Sequence, residues 1–218
     1  SDGMILGLDV GGANLKAATA DRRARSVPFP LWKEPDRLPA VLAELVAGFP
    51  DVDGFAVSMT GELCDCYGTK REGVAAILRA VRAAARSHPV GVWTTAGRFI
   101  RPDQALGEPL AVAAANWHAL ATFAGGYAAR GTALLVDVGS TTADLIPILD
   151  GEPWTEGRTD PDRMRAKELV YTGFRRTPVC ALLPPGEVAA ELFATALDAY
   201  LLLGHAPEAP ADCDTADG

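Results

Sequence analysis

Leu8-Asp9-Val10-Gly11-Gly12-Ala13-Asn14-Leu15-Lys16 is matched, at an offset of 128 residues, by Val136-Asp137-Val138-Gly139-Ser140-Thr141-Thr142-Ala143-Asp144. Each copy is an apolar strand, an aspartate at its end, a turn of small residues and a returning strand, so each reads as a β-hairpin. Glycine lets the backbone turn sharply and approach a ligand closely, so that successive N–H groups converge on phosphate oxygens. Gly11 and Gly12 in the first turn, and Gly139, Ser140, Thr141 and Thr142 in the second, are therefore candidate phosphate holders. An aspartate at a strand end can hold Mg²⁺ directly or through water, which makes Asp9 and Asp137 candidate metal ligands. Lys16 supplies a cation on the returning strand. Two such hairpins facing one cleft would clamp a phosphate from both sides. Neither copy is Gly-x-Gly-x-x-Gly entering a helix, nor a Walker loop, so Rossmann and P-loop readings fit poorly.

Outward from the hairpins, helices and strands alternate. Leu38–Val46 has helical spacing and stops before Gly48 and Pro50. Gly54–Met59 is a short apolar strand that ends in Thr60-Gly61. Glu72–Arg86 is an amphipathic helix with Val74, Ile77, Leu78 and Val81 on one face, and Pro89–Trp93 reads as a buried strand. Pro109–Arg130 is Ala-rich and helical. Asp150-Gly151 is a hairpin signal after the strand Thr142–Leu149, and Thr159–Glu168 reads as a loop with a short helix. Val179–Leu183 is expected as a strand and Glu187–Leu203 as a helix. The stretch from His205 has no periodicity and is expected to fray. Strands mixed with helices give the α/β class, and two hairpins mean that the sheets are mixed.

The chain has 218 residues, 49% hydrophobic and 22% charged, which suits a packed globular protein. Twenty Lys and Arg against 28 Asp and Glu give a net charge of −8, which argues against nucleic acid or an anionic membrane as partner. A small phosphorylated or diphosphate substrate is not excluded, because backbone amides hold phosphate with few cationic side chains. No apolar run reaches the ~18–20 residues that span a bilayer. The N-terminal stretch has no basic flank and no signal-type apolar run. Cys64, Cys66, Cys180 and Cys213 form neither a disulfide framework nor a zinc spacing, which suits reduced thiols in a cytoplasm.

The two hairpins resemble the phosphate-binding hairpins of the actin, sugar-kinase and heat-shock-70 ATPase superfamily. Four further segments narrow the resemblance: Met59-Thr60-Gly61-Glu62-Leu63-Cys64-Asp65-Cys66, Ala115-Asn116-Trp117-His118-Ala119, Asp137–Asp144, and Tyr171-Thr172-Gly173-Phe174-Arg175-Arg176-Thr177-Pro178-Val179. With them the chain is similar to the hydantoinase/oxoprolinase A-related family found beside tetrahydromethanopterin-linked one-carbon genes, whose characterised activity is a methanofuran-precursor synthase. The resemblance implies a duplicated ribonuclease-H-like (actin-like ATPase) α/β fold with mixed sheets and a central cleft. The expected division is a first subdomain over 1–130, a second and incomplete one over 131–204, and a frayed tail over 205–218.

The activity so implied is an alkyl transfer. A furan-methyl diphosphate would react with the phenol of a γ-glutamyl-tyramine, forming an aryl ether and releasing diphosphate. A furan ring supports positive charge on its exocyclic carbon, so the main task is to stabilise the leaving diphosphate. Mg²⁺ on Asp9 or Asp137, with Lys16 and the turn amides, would do that. A phenol of pKa ≈ 10 needs a base, and Glu62, ranked first for its longer reach, and Asp65 are the candidates. Thr60, Gly61, Asn116, Arg175 and Arg176 are candidate substrate contacts. Asp144 either caps the second turn with Thr141 and Thr142 or serves as a ligand.

Two other readings stand beside this one. One is an ATP-dependent kinase or a hydantoinase/oxoprolinase-type amidohydrolase subunit. The ATP-using members hold the nucleoside with a glycine pair, and after Asp144 every glycine here is isolated, so ATP as a cofactor stays open. The other is a non-catalytic, actin-like binding module that assembles into oligomers.

Overall fold

The computed structural model describes residues 3–210. The expected frayed tail is thus described only to residue 210, and Cys213 lies outside the described residues. The chain divides into two compact units, Ser1–Thr122 and Phe123–Gly218.

The first unit is built on a six-stranded mixed sheet. Its strands are β1 (Ile5–Val10), β2 (Asn14–Thr19), β3 (Ala24–Pro28), β4 (Gly54–Met59), β5 (Val90–Trp93) and β6 (Phe99–Ile100), in the order β3-β2-β1-β4-β5-β6. The first three meander antiparallel, and β4 and β5 then add in parallel to the other edge of β1. Helices α1 (Leu38–Ala47) and α2 (Lys70–Ala85) make the crossovers. Three antiparallel strands followed by two helix-connected parallel ones is the order the ribonuclease-H-like reading requires.

The core follows from the two periodicities. Alternate residues Leu6, Leu8 and Val10 of β1, and Phe55, Val57 and Met59 of β4, are buried. Leu38, Val41, Leu42 and Leu45 of α1, and Val74, Ile77, Leu78 and Val81 of α2, complete the same cluster at helical spacing. The side chain of Thr69 caps α2 by accepting from the Glu72 amide at 3.2 Å.

Short helices α3 (Pro102–Gly107) and α4 (Pro109–Val112) lead into α5 (Asn116–Gly125). The single helix expected over Pro109–Arg130 is therefore broken. The break lies at Ala113–Ala115, where Ala114 takes a positive φ of 48°.

The second unit carries a four-stranded sheet. Its strands are β7 (Thr132–Val138), β8 (Ala143–Leu149), β9 (Glu152–Pro153) and β10 (Leu169–Val170), with β8 in the middle. Helix α6 (Asp160–Arg165) precedes β10, and α7 (Ala196–Leu202) lies near the end of the described chain. Two expectations fail here. Val179–Ala181 is a 3-10 turn rather than a strand, and the helix expected over Glu187–Leu203 is confined to Ala196–Leu202. Residues 181–193 are all exposed, so among the described residues this stretch has no apolar partner of the kind that stabilises most protein helices.

Candidate functional site

The 128-residue repeat holds at the level of single hydrogen bonds. In the first hairpin the Gly11 amide donates to Asn14 O at 3.0 Å, and in the second the Gly139 amide donates to Thr142 O at 2.8 Å. The cross-strand pairs also coincide: Asp9 faces Lys16, and Asp137 faces Asp144.

Each turn is backed by a later segment that occupies its carbonyls. In the first, Phe29 and Leu31 donate their amides to Ala13 O and Gly12 O at 2.8 and 2.9 Å. In the second, Phe174 donates to Gly139 O at 2.9 Å, and Arg175 and Arg176 both donate to Ser140 O, at 3.0 and 2.8 Å. With these oxygens tied to protein amides, the turns present their remaining surface to a ligand.

The backbone repeats but the charge does not. Lys16 Nζ lies 3.6 Å from Asp9 Oδ2, while Asp9 Oδ1 accepts from Ser58 Oγ at 3.0 Å. Asp9 therefore already has its counter-charge. In the second hairpin the partner of Asp137 is another acid. Asp144 is compensated from behind by Arg163, whose Nη2 donates to Asp144 Oδ1 at 2.7 Å. Burial holds the Asp144 carboxyl above its usual range, and Arg163 partly opposes that rise. Arg163 is 1% exposed and also donates to Glu168 O at 3.1 Å.

In the first unit the loop after β4 completes the hairpin. The Thr60 amide donates to Val10 O at 3.0 Å. A Cβ on Gly61 would lie 2.6 Å from Leu31 Cδ2 and 3.1 Å from Val10 O, and one on Gly12 would lie 2.8 Å from Cys64 Sγ. Glycine at both positions lets the loop and the turn touch. Asp65 is exposed on this loop.

Glu62 does not reach outward from the turn as expected. It is 2% exposed, packed so closely on α2 that a Cβ at Gly73 would fall 2.7 Å from its Cα, and its Oε1 accepts from the Ala114 amide at 2.8 Å. Asn116 follows two residues later, half-buried at the start of α5, its Oδ1 accepting from the Trp117 amide at 2.8 Å.

Burial pushes the Cys64 thiol up to about 11, with Cys66, Glu62 and Asp65 adding to the rise. The Cys66 thiol is also raised, chiefly by burial, and the Tyr67 hydroxyl is pushed up to about 12 for the same reason. Cys64, Cys66 and Cys180 are free thiols.

Of the sequence candidates, Asp9, Gly11, Gly12, Lys16, Thr60, Gly61, Glu62, Asp65 and Asn116 belong to the first unit. Asp137, Gly139–Thr142, Arg175 and Arg176 belong to the second. Ser58, Ala114 and Arg163 were not singled out by sequence. Ser58 had a signal, since it precedes Met59-Thr60-Gly61 on the strand beside Asp9. Arg163 had none.

The close fit of the Tyr171–Val179 segment to the second turn gives a direct expectation. A Cβ on Gly173 would lie 2.5 Å from Thr141 C and 2.6 Å from both Ser140 C and O. Gly173→Ala must push this backbone off the turn and break the three bonds to Gly139 and Ser140. A loss of about 1–3 kcal/mol in stability is expected, as for overpacking elsewhere. Gly107→Ala, with nothing within 4 Å of its Cβ, should be near neutral. Denaturant titration of both variants checks this; equal stability of the two would remove the packing argument.

Two hairpins with matched turn closures, one on a mixed sheet and one on an antiparallel sheet, define an α/β protein built on a repeated hairpin. The chain belongs to the hydantoinase/oxoprolinase family, whose model matches residues 53–217. It is 40% identical over 226 residues to the (4-{4-[2-(γ-L-glutamylamino)ethyl]phenoxymethyl}furan-2-yl)methanamine synthase of Methanocaldococcus jannaschii, covering 99% of this chain and 66% of that protein. The chain thus spans about two thirds of that relative's length. A protein of the same name from Methanococcus vannielii is 40% identical over 92 residues, covering 39% of this chain and 41% of that one. Among solved structures, the Aquifex aeolicus member of the Ppx/GppA family is similar with a TM-score of 0.39 and 14% identity, over 70% of this chain and 49% of that one. Among the described residues, no helix is long and apolar enough to cross a membrane.

Proposed function

We propose that this chain carries the diphosphate-handling machinery of a transferase that joins a furan-methyl diphosphate to the phenol of a γ-glutamyl-tyramine, releasing diphosphate, in methanofuran-type cofactor biosynthesis. The observation that carries the reading is the repeated hairpin, with identical turn closure and an aspartate at the same register position in both copies. The name of the 40% identical relative, a phenoxymethyl-furan amine synthase, supports the bond formed.

The phenol oxygen attacks the exocyclic carbon of the furan, and the bond from that carbon to the diphosphate oxygen breaks. Diphosphate leaves with the electron pair, and the phenol proton passes to a base. Lys16 and the turn of Gly11 and Gly12 hold phosphate oxygens; Gly139, Ser140, Thr141 and Thr142 do so in the second hairpin. Arg175 and Arg176, anchored through their amides to Ser140 O, offer charge-assisted bonds to substrate anions. Thr60 and Gly61 shape the loop, and Asn116 contacts substrate.

Mg²⁺ suits the second hairpin better than the first. Asp9 is already matched by Lys16, whereas Asp137 is exposed and faces a second carboxyl group, Asp144. One or two carboxylates plus substrate phosphates is the donor set Mg²⁺ favours. Asp137 would hold an ion that neutralises the leaving diphosphate, while Asp144 opposite it stays paired with Arg163. Among the described residues no larger His/Cys/Asp/Glu cluster could hold a metal.

The family name favours a second reading, the ATP-dependent amidohydrolase subunit. A thermal-shift panel of ATP, ADP, diphosphate and phosphate, each with and without Mg²⁺, separates the two. Diphosphate with Mg²⁺ is expected to stabilise most, by about 2.7 kcal/mol at a hundred times its Kd. Stabilisation by ATP and ADP but not by diphosphate would overturn the transferase reading, and no response to any ligand would favour a non-catalytic module. In the same assay Lys16→Ala should weaken diphosphate about tenfold, since a charge-assisted bond from this mostly exposed side chain is worth about 1.5 kcal/mol. An unchanged Kd would leave Lys16 a surface residue.

A further inference from the structure

Pro109–Arg130 reads as one Ala-rich helix, yet the structure breaks it at Ala114. In an unbroken helix the Ala114 amide would donate four residues back along the chain. Here it donates at 2.8 Å to Glu62 Oε1, 52 residues away, and Ala114 adopts φ 48°, a left-handed conformation that costs a residue with a Cβ about 1–2 kcal/mol. Such strain persists only where surrounding structure enforces it. The enforcing group is buried: Glu62 is 2% exposed, and Gly73 of α2 leaves it the space.

We propose that Glu62 is a positioning residue: its carboxyl group interrupts the helix at Ala114 and so sets where α5 begins, presenting Asn116 as a hydrogen-bond donor to the substrate. The chain of contacts is continuous. Gly61 packs on the carbonyls of Val10 and Gly11, Glu62 follows it, the Glu62 carboxyl holds Ala114, and Asn116 begins α5 two residues on. Asn116 turns its Oδ1 back on the Trp117 amide. Among the described residues no hydrogen bond runs from its Nδ2, which is left to donate to an oxygen of the substrate. Were the helix unbroken, Asn116 and Trp117 would rotate with it, because each helical residue advances the face by a fixed angle. The two signature segments around Glu62 and Asn116, far apart in sequence, thus form one device.

The identity of the substrate rests on the transferase reading; the strut itself does not. The test compares Glu62→Gln, Glu62→Ala, Asn116→Ala, Ala114→Gly and the double variants Glu62→Ala/Ala114→Gly and Glu62→Ala/Asn116→Ala. Gln keeps an oxygen that accepts from Ala114, so E62Q should keep kcat and KM within about threefold and leave the pH–rate profile unchanged. E62A should raise KM for the phenolic substrate about tenfold with little change in kcat, N116A should do the same, and the pair should be no worse than either, because both remove one contact. E62A should also gain far-UV helical signal and shift Trp117 emission. Adding Ala114→Gly should reverse much of this, since glycine adopts positive φ without penalty and disfavours the fused helix.

A 10²-fold fall in kcat for E62Q with loss of the basic pH limb would make Glu62 the base and overturn the proposal. So would additive effects of E62A and N116A, or no recovery in E62A/A114G. If the wild-type chain turns over none of the proposed substrates, the transferase reading fails while helicity and Trp117 emission still decide the strut. Should E62A not fold, soluble E62A/A114G together with normal E62Q supports the strut, and unfolded protein in both overturns it.

Discussion

Replacing Asp65 by asparagine is expected to slow turnover by about 10²–10⁴-fold while leaving diphosphate affinity nearly unchanged. Elimination within one loop leads to this expectation. The Cys64 thiol, pushed up to about 11, and the Tyr67 hydroxyl, pushed up to about 12, both stay protonated at neutral pH and accept no proton there. Cys66 is raised in the same direction. The Glu62 carboxyl is buried on the Ala114 amide, and a proton reaching it would have to cross packed protein. Asp65 is exposed on the same loop, which touches the first hairpin through Cys64 and Gly12. Asparagine keeps the size and one acceptor but removes the basicity. The measurement is kcat by single-turnover kinetics together with diphosphate Kd by calorimetry. Normal kcat would remove Asp65 from the base role, and a selective loss of diphosphate affinity would place it with the phosphate holders instead.

Much of the fold was legible because it depends on short-range pattern. The i, i+3, i+4, i+7 spacing of α1 and α2 marks the faces that are buried, and Asp-Val-Gly marks both hairpin turns. What was not legible depends on partners remote in sequence. Nothing local marks Ala114 as a break, because alanine is the best helix former and the interruption is imposed from residue 62. The stretch from Glu187 has helical composition, but residues 187–193 are exposed and meet no apolar surface among the described residues, which composition alone does not report. Glu62 shows the same limit at the site. A carboxylate after a strand-end glycine has the right address for catalysis, but which way it points is decided by whether Gly73 leaves room for it inside. The charge difference between the hairpins was visible as Lys16 against Asp144. Its consequence needed the register, which sets Lys16 opposite Asp9 and Asp144 opposite Asp137, and needed Arg163, a residue in a polar stretch with no motif around it.

That arginine carries the largest expected loss of stability. Arg163→Met is expected to destabilise the second unit by about 3 kcal/mol, the lower end of the range for breaking a buried ion pair by removing one partner. The lower end applies because the Asp144 side chain keeps 19% exposure, against 2% for that of Arg163. Methionine fills similar volume, so the cost is chiefly the charge left behind on Asp144 and the lost bond to Glu168 O. The effect should depend on pH in a definite sense. Burial already raises the Asp144 pKa, so the folded state binds protons more readily than the unfolded chain at this site, and stability falls as pH rises from the ordinary carboxylate range through the raised value. Arg163 opposes that rise through its hydrogen bond and its charge. Without it the folded-state pKa climbs further and the fall in stability extends to higher pH. The variant should therefore lose more stability at pH 8 than at pH 5, because lowering the pH toward the raised value lets Asp144 take up a proton and lessens the unpaired charge. Urea unfolding of both proteins at the two pH values measures this, with Trp154 reporting on the second unit. A loss of the same size at both would show that Arg163 acts by packing alone, and a loss below about 1 kcal/mol, the usual size for an exposed pair, would show that the Asp144 pair is solvated like a surface one.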